Sequence, residues 1–226
     1  MKLLVLGRGK TGALVAEVAK DRGHHVRSLA GQDNPDGRAL TPELLREVDV
    51  AIDFTTPLAV IPNIINCAEA GVPIVVGTTG WYQHLEKVRE LIAERKGALL
   101  YGSNFSIGVN LVFNAVRALA PAMSKGYRAN IVEKHHAQKK DKPSGTAATI
   151  KKILESGNNS KVEIASLREG DTVGMHMVVL DSPNDTILVT HDAKSRLGFA
   201  AGAVQAAEWL KNKSGFYEFP DIIDQL

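Results

Sequence analysis

Residues 132 to 150, VEKHHAQKKDKPSGTAATI, bring together side chains that move protons and side chains that hold anions. His135 and His136 are adjacent, and Lys139 follows them by four and three positions. Histidine exchanges its proton near neutral pH, and a lysine ammonium is a compact cation suited to a carboxylate. Whether residues 135 to 139 make a helical turn or run extended, His135 and Lys139 point the same way. Pro143, Ser144, Gly145 and Thr146 then open the helical pattern AATIKKIL, with Ser144 as the expected N-cap. The N–H groups of Gly145 and Thr146, at the positive end of that helix, offer a seat for a carboxylate or phosphate. Between 133 and 142 four lysines face Glu133 and Asp141, a local charge of +2. Such a set can deliver a proton to a small anionic substrate; a solvated basic loop between strand and helix is the other reading. Helical zinc ligation wants histidines four apart, and the chain has no cysteine pair, so no metal is expected. His24, His25, His84, His176 and His191 stand apart from the cluster and are assigned to surface or packing.

A second constellation lies at the N-terminus. LGRGKTG places Gly7, Gly9 and Gly12 in G-x-G-x-x-G spacing, directly after the apolar run KLLVL and at the start of a helical pattern. In that context the glycines permit a tight turn, backbone approach to a pyrophosphate, and close packing of helix on strand. Lys10 adds a cation near the phosphates or is solvated. Two later strand ends, VVGTTG (Gly77 to Gly80) and YGSNFSIG (Gly102 to Gly108), carry small and polar residues and are expected to flank the nicotinamide. No acid ends the second strand, HHVRSLA. Asp33 is a candidate for the ribose diol and Arg27 or Arg38 for a 2′-phosphate, so NADH and NADPH both remain open.

These groups need a scaffold. Over the first hundred residues short apolar runs alternate with helical patterns, which implies a parallel sheet covered on both faces. After about residue 105 the rhythm changes to a helix, then longer strand patterns, with Ser182-Pro183-Asn184-Asp185 as the turn of an antiparallel hairpin. The expected fold is α/β: a Rossmann-like parallel sheet domain plus a second α+β domain with a mixed or antiparallel sheet. A final helix, GFAAGAVQAAEWLKNK, closes the pattern.

Apolar residues make up 44% of the 226 and charged residues 23%, which supports a core without staples. The formal charge of +2 is too small for a nucleic-acid surface, and no uninterrupted apolar run is long enough to cross a bilayer. Neither nucleic acid nor membrane is therefore expected as a partner. Only four apolar positions precede the first glycines and charges, so export is not expected. The single cysteine, Cys67, excludes an internal disulfide and fits the reducing cytoplasm.

Taken together, the residues from Glu133 to Ala147 resemble the signature of the 4-hydroxy-tetrahydrodipicolinate reductase (dihydrodipicolinate reductase) family of lysine biosynthesis, E-x-H-H-x-x-K-x-D-x-P-S-G-T-A, and meet each of its fixed positions. AIDFTTP, VVGTTG, NFSIGVN and SRLGFAAGAV extend the likeness over most of the chain. One departure is the glycine loop, which is a residue shorter than the family's common G-x-x-G-x-x-G. The resemblance implies a dinucleotide-binding domain over residues 1–105 with 196–226, and a substrate-binding domain over 106–195 whose sheet builds a homotetramer. It implies His135 as proton donor and Lys139 as a second acid that contacts a substrate carboxylate. His136, Gly145 and Thr146 become substrate binders, with Ser144 counted in the same set. Cofactor contacts, to NADPH or NADH, fall on Gly7, Arg8, Gly9, Lys10, Thr11 and Gly12, on Gly77, Thr78 and Thr79, and on Gly102, Ser103, Asn104 and Phe105.

The implied substrate is a small dicarboxylate cyclic imine. Loss of water gives a conjugated ring, hydride adds to it, and an acid must then supply a proton, which would explain why cations and proton carriers are gathered in one loop. A non-catalytic NAD(P)H-sensing protein of the same fold, or a reductase of another cyclic imine, are the alternatives.

Overall fold

A computed structural model describes residues 1–157 and 161–226. In chain order the elements begin β1 (Lys2–Leu6), α1 (Lys10–Asp21), β2 (His25–Leu29), α2 (Pro42–Leu45), β3 (Val50–Asp53), α3 (Val60–Glu69), β4 (Ile74–Val76), α4 (Leu85–Glu94) and β5 (Ala98–Tyr101). They continue with α5 (Ile107–Leu119), β6 (Arg128–His135), α6 (Gly145–Glu155), β7 (Glu163–Arg168), β8 (Gly174–Asp181), β9 (Thr186–Ala193), α7 (Leu197–Leu210) and β10 (Gly215–Glu218). They form two units, Met1–Ile107 with Leu197–Leu226, and Gly108–Arg196.

The first unit is built on a six-stranded parallel sheet of order β10-β5-β4-β3-β1-β2. Its central strands are buried along their whole length and apolar apart from Asp53 at the end of β3, so each must be covered on both faces. Alternate residues serve the two faces. Leu3, Val5, Ile52, Val75 and Leu100 pack with Val15 and Ala19 of α1 and with Ala200, Ala203, Val204 and Ala207 of α7. Leu4, Leu6, Ala51, Ile74, Val76 and Leu99 pack with Val60 and Ile64 of α3 and Val88 and Ile92 of α4. Cys67 is buried on α3, and that burial pushes its thiol pKa up.

Two details depart from the sequence reading. The sequence TPELLREV, with Thr41 ahead of Pro42, carries a capped helical pattern, yet the helix spans Pro42–Leu45 only: Thr41 accepts a bond from the Leu44 N–H, and by Asp49 the chain has joined β1 through the bond to Lys2 C=O. Sheet pairing outcompetes a second turn. The other departure is β10, a four-residue strand that extends the sheet beyond β5 and carries no alternating signal of its own.

In the second unit the sheet order is β7-β6-β8-β9, with β6 and β7 parallel and the other pairs antiparallel. Its buried face meets α5 and α6 through Ile131, Val178, Val109, Phe113, Val116, Ile150 and Leu154. The opposite face leaves Leu167 and Leu188 exposed, 49% and 60%. Helix α5 continues into a 3-10 turn, and Ile107–Lys125 is long and apolar enough by length and composition to match a membrane span, although Asn110, Asn114 and Arg117 interrupt its apolar run. Val109, Asn110, Phe113 and Val116 on this helix are nevertheless buried, and its three apolar members belong to the unit's core.

Candidate functional site

The first unit supplies a cradle where the strand order turns, at the carboxyl ends of β1 and β3. Gly7 leaves β1 at φ +96°, donates its N–H to Leu29 C=O, and lies so close to Phe54 that a Cβ would strike the Phe54 carbonyl. A Cβ on Gly12 would strike the Gly7 carbonyl, so helix and strand close on each other as the spacing predicts. Gly9 caps α1 without a side-chain bond, which leaves the first N–H groups of the helix to a ligand. In front of them is a cavity of 310 Å³, lined by Gly9 to Gly12, by Phe54, Thr55 and Pro57 after β3, and by Gly77, Thr78 and Thr79 after β4. The donor set and the absence of side chains at the turn fit a dinucleotide pyrophosphate.

The remaining predicted cofactor residues sit differently. Gly7 forms the turn behind the cavity, and Arg8 reaches the end of β2, its Nη2 donating to Ser28 C=O at 2.9 Å. Gly102 leads out of β5 through its bond to Val76 C=O, and Ser103 is exposed. Asn104 accepts from the Ser106 N–H. Phe105 is a core residue against Phe219, so it offers a ligand its backbone rather than its ring. Arg38 is engaged with Asp36, and Asp33 is exposed on the loop after β2.

Beneath the cavity lies a residue the sequence reading passed over. Asp53, fully buried at the end of β3, accepts from the Thr55 N–H and hydroxyl at 2.9 and 2.7 Å, the Thr78 hydroxyl at 2.6 Å and Asn63 Nδ2 at 2.7 Å. Asn63 in turn accepts from Asn34, and Asn34 from the Ala39 N–H, so one carboxylate organises the loops after β2, β3 and β4. Asp53→Ala should therefore cost about 3 kcal/mol in urea unfolding, because several buried donors lose their acceptor at once. A loss under about 1 kcal/mol would show that water replaces it.

In the second unit the chemistry gathers at one end of the buried sheet face. Register sets the rows: Glu133 pairs with Ser166 on β7 and His176 on β8, and His176 pairs with His191 on β9. Two residues on, His135 pairs with Arg168. His135 is 8% exposed, its Nε2 3.2 Å from Glu133 Oε2 and 3.3 Å from His176 Nε2, its Nδ1 3.3 Å from Val173 C=O. Glu133 Oε1 accepts from Arg168 Nη2 at 2.9 Å and from the Ser144 N–H at 3.2 Å. Ser144 caps α6 as expected: its Oγ accepts from the Ala147 N–H and lies 3.1 Å from His176 Nε2. The first intrahelical bond runs from Ala148 N–H to Ser144 C=O, so the N–H groups of Gly145 and Thr146 precede the ladder and suit an anion.

Charges in this cluster are set by burial and by these bonds. Burial works to raise the Glu133 carboxyl, but the Ser144, Ser166 and Arg168 donors outweigh it and hold the pKa at about 2. Burial lowers His135, with Glu133 working against the fall and Lys139 and Arg168 adding to it. Burial, helped by His135, takes His176 down to about 4. Lys139 pairs with Asp141 at 2.8 Å, and His136 is half-buried, its Nδ1 3.2 Å from Gln138 and its Nε2 3.5 Å from Arg196 Nη2.

Ligand atoms of Glu133, His135 and His176 lie within 4.8 Å of one another, a clustering the sequence spacing did not show. Arg168 Nη2 pairs with Glu133 Oε1, and Oε2 is the carboxylate atom that faces the two imidazoles. His176 and Arg168 were missed as partners. The signal that locates them is strand alternation, which puts Glu133, His135, Arg168 and His176 on the inward face.

A doubly wound parallel sheet with a glycine cradle, joined to a second unit that carries two buried imidazoles against a carboxylate at the capped start of a helix, fits the class of dinucleotide-dependent oxidoreductases. Comparison with known proteins gives the family. Residues 1–105 match dihydrodipicolinate reductase, N-terminus, and residues 108–223 match dihydrodipicolinate reductase, C-terminus. A 4-hydroxy-tetrahydrodipicolinate reductase of Christiangramia forsetii is 39% identical over 240 residues, covering 100% of this chain and 99% of that protein. One from Neisseria meningitidis serogroup B is 34% identical over 200 residues, covering 80% and 74%. A solved structure of dipicolinate-bound dihydrodipicolinate reductase from Paenisporosarcina sp. TG-14 has the same fold, with a TM-score of 0.80 at 20% identity over 98% of this chain and 99% of that one. The chain belongs to the dihydrodipicolinate reductase family and is an oxidoreductase.

Proposed function

We propose that the protein reduces 4-hydroxy-tetrahydrodipicolinate to tetrahydrodipicolinate, with loss of water, in diaminopimelate and lysine biosynthesis. When bound, NADPH or NADH supplies the hydride. The chain's own residues do the rest. The N–H groups at the start of α6 and the Lys139 ammonium hold the substrate carboxylates, His136 borders the same seat, and His135 gives up the proton that balances the hydride. One observation carries this reading: Ser144, the cap of the anion-binding helix, bonds to the same carboxylate that faces His135, so seat and acid are built as one piece.

The test is a coupled assay in which pyruvate, aspartate semialdehyde and the upstream synthase generate the substrate, and loss of reduced-nicotinamide absorbance is followed. Oxidation that depends on the synthase supports the proposal. No oxidation of either cofactor would refute it, and turnover only with another cyclic imine would reassign the substrate.

Arg8 at the end of β2, with no carboxylate closing that strand, supports a 2′-phosphate and hence NADPH as the better cofactor. Arg8→Ala is expected to raise KM for NADPH about tenfold and KM for NADH by much less. Equal changes would detach Arg8 from the adenosine end.

A cytoplasmic homotetramer completes the proposal. The relatives are biosynthetic enzymes, the cysteine is buried and unpaired, and the sheet face carrying Leu167 and Leu188 is the candidate contact. A sedimentation mass near that of one chain would remove the assembly without touching the chemistry.

A further inference from the structure

We propose that Glu133, His176 and Ser144 are positioning residues for His135, fixing its ring and its proton and tying both to the start of α6. The inference rests on the reductase reading above. His135 Nδ1 faces a backbone carbonyl, that of Val173, and Nε2 faces a carboxylate oxygen. Both are acceptor atoms, the carboxylate oxygen at ion-pair distance, and His176 Nε2 is a third neighbour at 3.3 Å from Nε2, so a ring charged on both nitrogens sets a proton toward the carbonyl and its charge beside the carboxylate. The carbonyl and the carboxylate therefore favour the imidazolium, the form from which a general acid works, against burial, Lys139 and Arg168, which oppose it.

Glu133 Oε2 is buried and has no hydrogen-bond partner among the described residues; its near neighbours are His135 Nε2 at 3.2 Å and His176 Nε2 at 4.0 Å. A proton on His135 Nε2 would bring a positive charge within 3.2 Å of that oxygen. The other oxygen is held by Arg168 and the Ser144 N–H, which keeps the carboxylate ionised and aimed. His176 closes the set from β8. Its contacts run through Nε2 alone, to Ser144 Oγ at 3.1 Å and His135 Nε2 at 3.3 Å, while its Nδ1 is buried with no hydrogen-bond partner among the described residues. Gly174 makes room, since a Cβ there would lie 2.8 Å from His135 Cε1. The charged and titratable groups around the ring are Glu133 on its own strand, Arg168 on β7, His176 on β8 with His191 beyond it, and Lys139 in the following loop. Of these, only Glu133 favours a charged ring.

Side-chain shape gives a specific test. Glutamine places its amide about where histidine Nε2 stands, asparagine where Nδ1 stands, and leucine offers neither. His176→Gln is expected to keep kcat within about threefold of wild type, and His176→Asn and His176→Leu to lose about tenfold or more with KM for NADPH unchanged. Glu133→Gln removes the charge that stabilises the imidazolium. Its basic limb in the pH profile of kcat/KM should move to lower pH by about one unit or more, and so should the ¹⁵N titration of the His135 ring.

If Asn, Leu and Gln at 176 behave alike, or if the His135 titration is unmoved in a folded Glu133→Gln protein, the positioning role is refuted. Should Glu133→Gln fail to fold, the His176 series decides alone. A wild type that turns over no substrate refutes the reductase reading instead, and the ¹⁵N titration of wild type against His176→Gln and His176→Leu then decides the positioning role: it stands if only leucine moves the His135 titration and falls if neither does.

Discussion

His135→Gln is expected to lower kcat by about two to four orders of magnitude while leaving thermal unfolding and NADPH binding where they were. Glutamine can still turn its amide toward Glu133 Oε2, 3.2 Å from the present ring nitrogen, and Glu133 Oε1 keeps its bonds from Arg168 and the Ser144 N–H. What it cannot do is release a proton at neutral pH. The loss belongs in kcat, because the proposed carboxylate seat at Gly145, Thr146 and Lys139 is untouched. The wild-type pH profile gives a second check. The acid must be protonated to act, and burial holds His135 below its ordinary value, so kcat/KM should fall as pH rises through that lowered value. A basic limb well above neutrality, or a His135→Gln enzyme within a few-fold of wild type, would move the acid elsewhere.

Gly7→Ala is expected to abolish measurable dinucleotide binding and to lower the unfolding temperature by several degrees, roughly 1–3 kcal/mol of strain. The residue sits at φ +96°, and the added methyl would meet the Phe54 carbonyl, which has little room to retreat. Phe54 is tied to Leu6 by its N–H, and Thr55 to Asp53 and Thr78. Gly9→Ala is the informative control. A Cβ there meets no protein atom within 4 Å, so stability should be unchanged. NADPH affinity should nonetheless fall, since the space in front of Gly9 belongs to the cavity and is where a pyrophosphate would lie. If Gly9→Ala binds NADPH as well as wild type, the phosphates do not lie against this turn.

Much of this architecture was open to reading from the chain alone, for local reasons. LLVL, VAI and ALLY are apolar without interruption, which only a strand covered on both faces can bury, and helical patterns lie between them. Gly7, Gly9 and Gly12 are spaced for one turn, Ser144 precedes its helix as a cap must, and the Ser182 to Asp185 cluster turns a hairpin. Each of these signals lies within a few residues of its consequence.

The limits were equally local. β10 is four residues long and exists because β5 offers it an edge, and α2 stops after one turn because the chain is claimed by β1. Asp53 reads as an acid ending a strand; its role appears only when Thr55, Thr78 and Asn63 close around it.

His176 lies 41 residues beyond His135 and Arg168 lies 35 beyond Glu133, yet both arrive within hydrogen-bond reach. Alternation along each strand determines which side chains face inward, and this much the amino-acid order established by itself. Which inward residues stand opposite one another depends on strand register, and register is chosen by the pairing and burial of the whole sheet at once. The histidine proposed as proton donor was therefore visible in the chain, and the carboxylate and second imidazole that lie against it were settled only when β6, β7 and β8 came together.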